Sequence, residues 1–186
     1  MLMFATETYI NFRIQNSQTF LLQAHYKKHI AYLLIGSNIG DRQENLANAI
    51  KQIETNCGIV FKQSAIYETA AWGNTEQPSF LNQALELRTD FSAKKLMKQL
   101  LHIERLMGRQ RTEKMGPRLI DLDIILMDEE IVHSDSLILP HPHLQDRKFV
   151  LLPLAEIAPK AFHPIFNKSV EQLLKECGDV LDVKKF

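Results

Sequence analysis

Residues 116–126 read Gly116-Pro117-Arg118-Leu119-Ile120-Asp121-Leu122-Asp123-Ile124-Ile125-Leu126 and predict a β-strand that carries two carboxylates. Alternate side chains of a strand share a face, so the two aspartates point the same way, and their oxygens together suit hard cations. The opposite face is apolar (Ile120, Leu122, Ile124, Leu126), and Ile125 and Met127 continue the face of the aspartates, which indicates burial on both sides. Carboxylates at the edge of a buried strand are costly unless cations neutralise them. The pattern therefore favours a magnesium-nucleotide site over a strand end that faces solvent.

Size and charge narrow the classes of protein further. With 186 residues and 45% hydrophobic content, the chain is predicted to form one domain over residues 29–186, preceded by an appended segment, residues 1–28, of unknown role. Lys and Arg total 22 against 22 Asp and Glu, so no broad field favours nucleic acid or an anionic membrane as a partner. No apolar run approaches the roughly 18 residues of a membrane span. Cys57 and Cys177 are predicted to be reduced thiols of a cytoplasmic protein, expected to be a monomer.

On both sides of the aspartates, the hydrophobic periodicity of the chain predicts alternating strands and helices. The predicted order is a strand at 30–35, a helix capped by Asp41 and Glu44, strands at 59–67 and 80–89, a helix from Ser92 to Gly108, and the Asp-x-Asp strand, followed by a strand at 137–139, a helix at 149–158 and a last helix capped by Ser169 and Gln172. This order is that of a ferredoxin-like α+β sandwich, an antiparallel sheet with helices packed on it, with extra C-terminal elements. The long connections 69–79 and 108–117 are predicted to border the functional site.

Five short motifs occur together in one order along the chain. They are Gly36-Ser37-Asn38, Gln77-Pro78-x-Phe80-Leu81-Asn82, Gly108-Arg109-x-Arg111, Gly116-Pro117-Arg118-x-x-Asp121-Leu122-Asp123, and Pro140-His141 through Arg147-x-Phe149. The set resembles the 6-hydroxymethyl-7,8-dihydropterin pyrophosphokinase (diphosphokinase) family of folate biosynthesis. The resemblance covers about residues 30–160, and the segment with both aspartates is its most specific part.

The resemblance implies an enzyme that transfers diphosphate from ATP to the hydroxymethyl group of 6-hydroxymethyl-7,8-dihydropterin and releases AMP. It implies that Asp121 and Asp123 are ligands for two Mg²⁺ ions. It also implies roles for a set of catalytic or ATP-binding residues: Arg109, Arg111, Arg118, Ile124, His141 and Arg147. Guanidinium groups suit phosphate oxygens because their planar fork matches two of them at once. His141 and His143 lack further zinc ligands at suitable spacing, so no zinc site is predicted.

For the pterin, the resemblance implies a second set of residues: Thr69, Ala70, Ala71, Trp72, Phe80, Asn82 and Phe149. Flat heterocycles stack on aromatic faces, and an amide offers both a donor and an acceptor to the polar edge of such a ring. Asn82 stands among leucines in a predicted buried strand, where a polar group needs partners. A ligand would supply them.

Two other classes of protein stay open on the residues alone. A metal-dependent phosphoesterase or glycosyltransferase would use Asp-x-Asp without a pterin and would not need Asn82. A ferredoxin-like module that binds RNA or a small ligand would need basic and aromatic residues on the sheet face, and its binding would not depend on magnesium.

Overall fold

The computed structural model describes residues 29–71, 77–109 and 116–186. Its strands are β1 (His29–Ser37), β2 (Ile59–Gln63), β3 (Tyr67–Thr69), β4 (Phe80–Thr89), β5 (Asp121–Met127), β6 (Val132–Ser134), β7 (Leu137–Leu139), β8 (Phe162–His163), β9 (Lys168–Ser169) and β10 (Val183–Lys185). Its helices are α1 (Arg42–Asn56), α2 (Ala93–Leu106), α3 (Lys148–Ile157) and α4 (Val170–Glu176). Within these residues, no helix combines the length and apolar character needed to cross a membrane.

The main sheet has six strands in the order β10-β3-β4-β1-β5, with β2 also paired to β4. Every pairing in it is antiparallel, and β1 lies between β4 and the edge strand β5. The predicted α+β sandwich with an antiparallel sheet is confirmed. The predicted appended segment, residues 1–28, lies outside the described residues.

The single strand predicted over residues 59–67 is wrong, because the chain forms two strands there. The break occurs at Ser64, whose hydroxyl accepts a hydrogen bond from the Ala84 backbone N–H at 3.0 Å, while its own N–H donates to the Ala84 carbonyl at 2.9 Å. A side chain thus takes the place of one backbone partner in the ladder. Both β2 and β3 still pair with β4, so the position of the predicted strand in the sheet is unchanged.

Helices cover both faces of the sheet. On one face, α1 and α2 bury apolar side chains such as Leu46 and Leu100 against the inward face of β1 and β4. On the other face, α3 and α4 pack against Leu34 and Ala84, and Leu151 is fully buried there. The second face is covered only in part, and the exposed remainder holds the pocket described below.

Strand β5 contains an irregularity that the sequence pattern does not show. Leu33 pairs with Ile124 and Tyr32 with Leu126, so the register shifts by one residue at Ile125. Beyond this bulge the faces exchange. Leu126 belongs to the core cluster that includes α3, and Met127 belongs to the cluster that includes α1 and α2, the reverse of the predicted alternation.

Of the three predicted helix caps, the Ser169 capping box forms in full, and the capping box predicted for Asp41 and Glu44 forms only its Asp41 half. Asp41 accepts a hydrogen bond from the Glu44 N–H at 3.0 Å, and Ser169 with Gln172 forms a reciprocal capping box. Ser92 occupies the N-cap position of α2, but its side chain makes no capping bond.

Candidate active site

The register of three strands places the key polar residues in one row. Gly36 of β1 lies opposite Asn82 of β4 on one side and opposite Asp121 of β5 on the other. In the next row on the same face, Leu34 lies between Ala84 and Asp123. Since side chains two residues apart share a face, the two aspartates and Asn82 open onto the same pocket.

Two arginines hold the first aspartate. Asp121 accepts a hydrogen bond from Arg109 at 2.5 Å and one from Arg118 at 2.7 Å, and its side chain is about a quarter exposed. Arg109 also pairs with Glu104 of α2, which is almost fully buried. The Arg118 guanidinium carbon lies 5.6 Å from the centre of the Phe80 ring, so this arginine spans the distance between the carboxylates and the aromatic side of the pocket.

The second aspartate, Asp123, has a strongly raised pKa. Burial raises the pKa of Asp123 to about 7, and the nearby Asp121 and Glu104 carboxylates add to the shift, while Arg109 and Arg118 oppose it. A group in this position binds a proton or a cation more readily than an isolated aspartate does. The donor set of Asp121 and Asp123, supported by the Glu104 carboxylate, therefore fits hard divalent cations.

Glu104 belongs to the charged cluster at this end of the pocket, although the sequence analysis did not single it out. It lies in the last turns of α2 and accepts a hydrogen bond from the Leu122 N–H at 2.9 Å, besides its pairing with Arg109. Helix α2 is thereby attached to the strand segment between the two aspartates. In the sequence, this glutamate next to Ile103 resembles an ordinary solvent-exposed charge. Only its position four residues after Leu100 indicates that it lies on the buried face of the helix.

The side chain of Asn38 fixes the backbone of Arg118 beside the pocket. Its side-chain oxygen accepts from the Arg118 N–H at 2.7 Å, and its amide nitrogen donates to the Gln77 side chain and to the Pro78 carbonyl, both at 3.2 Å. One buried amide thus joins three segments that are distant in sequence. The Gly36-Ser37-Asn38 motif thus helps to hold the pocket together through Asn38.

At the other end of the row, Asn82 is buried and donates to the Thr69 hydroxyl at 3.0 Å. Phe80 lies two residues before it on the same face, and Phe149 lies at the start of α3; both line the pocket together with Ala70. This end therefore combines aromatic rings with a fixed amide. Such a lining suits a flat, polar heterocycle.

His141 and Arg147 close the pocket beside α3. The His141 N–H donates to the Ile125 carbonyl at 2.9 Å, which anchors its segment on β5. Burial, together with the charges of Arg147 and His143, lowers the pKa of His141 to about 4. The ring is therefore neutral at physiological pH; its Nδ1 atom accepts a hydrogen bond from the His143 backbone N–H at 3.2 Å, which leaves the Nε2–H as a donor.

The low pKa of His141 predicts that the metal-free protein loses stability in acid. The unfolded chain takes up this proton near pH 6.5 and the folded chain near pH 4, so the contribution is complete above pH 6.5 and is lost as pH falls through about 4. At 1.36 kcal/mol per pKa unit it amounts to at most about 3 kcal/mol. Urea unfolding of the wild type and of His141→Asn between pH 4 and 7.5 measures it as the difference in slope.

Comparison with His141→Asn is needed because the raised pKa of Asp123 changes stability with pH in the opposite direction. Its raised pKa stabilises the folded state at low pH and costs stability as pH rises toward about 7. Subtracting the His141→Asn curve removes this shared contribution. A variant of the exposed His133, His133→Asn, serves as the control, and parallel curves for wild type and His141→Asn would contradict the prediction.

The structure brings most of the predicted site residues together. The residues that line one pocket are Thr69, Ala70, Phe80, Asn82, Arg118, Asp121, Asp123, His141, Arg147 and Phe149, and Arg109 reaches it through Asp121. The side chain of Ile124 instead packs in the core against α1 and α2, so only its backbone is available to a nucleotide; Ile125 lines the pocket. Ala71 is buried and does not line the pocket. Trp72 and Arg111 lie outside the described residues.

The pocket has carboxylates and arginines at one end and an amide with aromatic rings at the other. These features define a class of protein, an enzyme domain suited to a metal-bound polyphosphate and a flat second substrate. Four of the five sequence motifs contribute residues to the lining of this pocket, and the fifth, which contains Arg109, reaches it through Asp121.

Comparison with known proteins gives the family. The sequence model of the 7,8-dihydro-6-hydroxymethylpterin-pyrophosphokinase family matches residues 32–159, and the chain belongs to this family. The Aquifex aeolicus 2-amino-4-hydroxy-6-hydroxymethyldihydropteridine pyrophosphokinase is 39% identical over 145 residues, which cover 78% of this chain and 90% of that protein. The Bacillus subtilis protein of the same name is 43% identical over 130 residues, covering 69% and 78% of the two chains.

Longer proteins contain a similar region. The folic acid synthesis protein FOL1 of Dictyostelium discoideum is 40% identical over 145 residues, but the chain spans only 22% of its length. The wild-type Plasmodium falciparum HPPK-DHPS crystal structure with SDX-DHP superimposes with a TM-score of 0.64 at 15% identity, covering 80% of this chain and 43% of that one. At this identity the similarity shows the fold alone.

The predicted family and the predicted class of enzyme are confirmed by these matches. The family and the names of its members indicate pyrophosphoryl transfer from ATP to hydroxymethyldihydropterin in folate synthesis.

Proposed function

We propose that this chain carries out that transfer in the pocket between β1, β4, β5 and α3, releasing AMP and the pterin diphosphate. The observation that carries the proposal is the row Asn82, Gly36 and Asp121. In this row, the amide proposed to bind the heterocycle lies two strands from the carboxylate proposed to bind the metal, on one face of the sheet. Neighbouring strands lie about 4.8 Å apart, so the two ends of the row are roughly 10 Å apart, a span suited to a pterin next to a nucleotide polyphosphate.

Asp121 and Asp123 are the proposed ligands for two Mg²⁺ ions. The raised pKa of Asp123 supports this role, because a cation relieves the repulsion among Asp121, Asp123 and Glu104 that burial intensifies. When bound, Mg²⁺ neutralises charge on the phosphate oxygens and on the oxygen that attacks or leaves. Glu104 acts here by fixing the strand between the ligands through its bond to the Leu122 N–H.

The arginines and His141 are proposed to bind the phosphates of ATP. Arg109 and Arg118 are held against Asp121 in the structure and are placed to turn their remaining N–H groups to phosphate oxygens. Arg147 and the neutral His141 stand on the opposite wall, beside α3. Arg111 and the backbone of Ile124 complete the proposed ATP set on the basis of the family resemblance.

Phe80, Phe149 and Asn82 are proposed to hold the dihydropterin. Stacking on the rings places the heterocycle flat against the pocket wall, and the Asn82 amide reads its polar edge. Thr69 fixes the amide through its hydroxyl. The chain segment Ala70, Ala71 and Trp72, which follows β3, is proposed to supply further contacts by its backbone.

Separation of the nucleotide products tests the proposal. The protein is mixed with ATP, Mg²⁺ and 6-hydroxymethyl-7,8-dihydropterin, alongside mixtures that lack the pterin or the metal. AMP that forms only in the complete mixture, matched by diphosphorylated pterin, supports pyrophosphoryl transfer. ADP with free phosphate would instead indicate a phosphoesterase, and no turnover by folded protein would indicate a binding module. The monomeric state and the cytoplasmic location stay predictions.

A further inference from the structure

Gly36 lies in the middle of the row formed by Asn82, Gly36 and Asp121. The inference drawn from it rests on the proposed function. The backbone hydrogen-bond partners of Gly36 lie on both sides, since β1 pairs with β4 and with β5. Gly36 itself lines the pocket. Its neighbours two residues away on the same strand face carry ordinary side chains, so the missing side chain is a local feature of this row.

The backbone conformation does not demand a glycine here. Gly40, Gly58 and Gly108 have positive φ angles of 69°, 152° and 90°, a region that other residues rarely adopt, whereas Gly36 is in regular strand conformation. A glycine inside a strand weakens it and commonly marks a close approach by another group. The reason for glycine at position 36 is therefore space.

The group that approaches is the side chain of Asn82. A Cβ atom built on Gly36 would lie 2.8 Å from the Asn82 Oδ1 atom, well inside van der Waals contact, and 3.8 Å from the Phe80 Cδ1 atom. The amide oxygen thus lies over the bare backbone of β1, in the space next to which a side chain at position 36 would have to fit. Of the proposed pterin contacts, Asn82 depends on this gap, whereas a Cβ would make only an ordinary van der Waals contact with Phe80.

Asn82 has little freedom to give way. It is 4% exposed, and its amide nitrogen is bonded to Thr69, which is 3% exposed. To avoid a methyl group at position 36, the amide must leave the Thr69 hydroxyl or rotate away from the centre of the row. Either movement misaligns its donor and acceptor from the pterin edge.

We infer that Gly36 is a positioning residue for the dihydropterin: its missing side chain lets the Asn82 amide lie over β1 and leaves the row open between the pterin and the aspartates. It acts through Asn82: its backbone pairs with that of Asp121, but the atoms nearest to a Cβ at position 36 belong to Asn82, Leu81 and Phe80 and not to a metal ligand or an arginine. Its substitution should therefore affect the pterin far more than the nucleotide.

The experiment measures binding of 6-hydroxymethyl-7,8-dihydropterin by titration calorimetry in the presence of Mg²⁺ and a non-hydrolysable ATP analogue. In Gly36→Ala, the dissociation constant for the pterin should rise about ten-fold or more, as expected for the loss of one well-placed hydrogen bond. The dissociation constant for the ATP analogue alone should stay within about two-fold. Gly178→Ala is the matched control because a Cβ there meets nothing within 4 Å.

A double-mutant cycle separates positioning from general damage. In the Asn82→Ala background, where the amide is absent, Gly36→Ala should weaken pterin binding by less than about two-fold, so the two effects should be strongly non-additive. Equal losses in both backgrounds, an equal loss of nucleotide binding, or pterin binding unchanged in Gly36→Ala would each overturn the inference. If the wild type itself bound no pterin, the proposed function would fail and the inference with it; normal wild-type binding with an unaffected variant would remove the inference alone.

Discussion

Replacing Asp123 by asparagine is expected to lower magnesium-dependent turnover by about a thousand-fold or more. The substitution removes a charged oxygen ligand while keeping nearly the same shape. Charge stabilisation by a metal ion in phosphoryl transfer is worth several kcal/mol, and 1.36 kcal/mol corresponds to a factor of ten in rate. The initial rate of AMP formation, measured over a range of Mg²⁺ concentrations, tests this expectation.

Loss of activity in this variant should not arise from unfolding. Burial raises the pKa of Asp123 to about 7, so the ionised form is unfavourable in the metal-free protein, and a neutral amide removes that cost. The thermal midpoint of metal-free Asp123→Asn at pH 8 should thus equal or exceed that of the wild type. Asp135→Asn, at an exposed position, is the control with unchanged rate. Near-normal turnover of Asp123→Asn would show that the metal-ligand assignment is wrong.

Replacing Asn82 by alanine is expected to weaken binding of the dihydropterin by about a hundred-fold. The amide is the proposed polar reader of the ring edge, and its removal loses its hydrogen bonds to the ligand and leaves the buried Thr69 hydroxyl without this donor. Sites built around hydrogen bonds discriminate strongly when one partner is absent. Calorimetric titration of the pterin in the presence of the ATP analogue provides the measurement.

Gln83→Ala is a matched control for this experiment, because it removes a buried amide from the next position of the same strand. Gln83 donates to the Ser64 carbonyl at 2.7 Å and faces away from the pocket. It should lower the thermal midpoint while leaving pterin affinity within about two-fold. Unchanged turnover in Asn82→Ala would favour a phosphoesterase, which has no use for the amide.

The parts of the fold that the sequence predicts well are those with strong local signals. The strand over residues 80–89 was predicted to the residue because alternating leucines and flanking polar residues define it. The face shared by Asp121 and Asp123 follows from the period of a strand and is borne out by the pocket they line. Both results depend on side-chain alternation within one segment.

The features that the sequence does not predict depend on partners far along the chain. The bulge at Ile125 lies in an uninterrupted apolar run, where a shift of one residue leaves the hydrophobic pattern unchanged. The break at Ser64 depends on its bonds to Ala84. Glu104 resembles a solvated helix residue until the Leu122 N–H is placed beside it.

Separation along the chain also explains why the sequence predicts the site only in part. A family resemblance identifies the residues, but it does not say which of them use side chains and which use backbone. Ile124, whose side chain is in the core, is the clearest case. The spacing role inferred for Gly36 depends on register with Asn82, a contact between strands that no local pattern shows.

The row of Asn82, Gly36 and Asp121 has a consequence for how the protein opens. Its three members come from three strands that are separated along the chain by a helix or more, so the pocket exists only while β4, β1 and β5 are all paired. Ligands that require the whole row bind only that state. They should slow amide hydrogen exchange in all three strands by a common factor, so that these three strands open as one cooperative unit when substrates are bound.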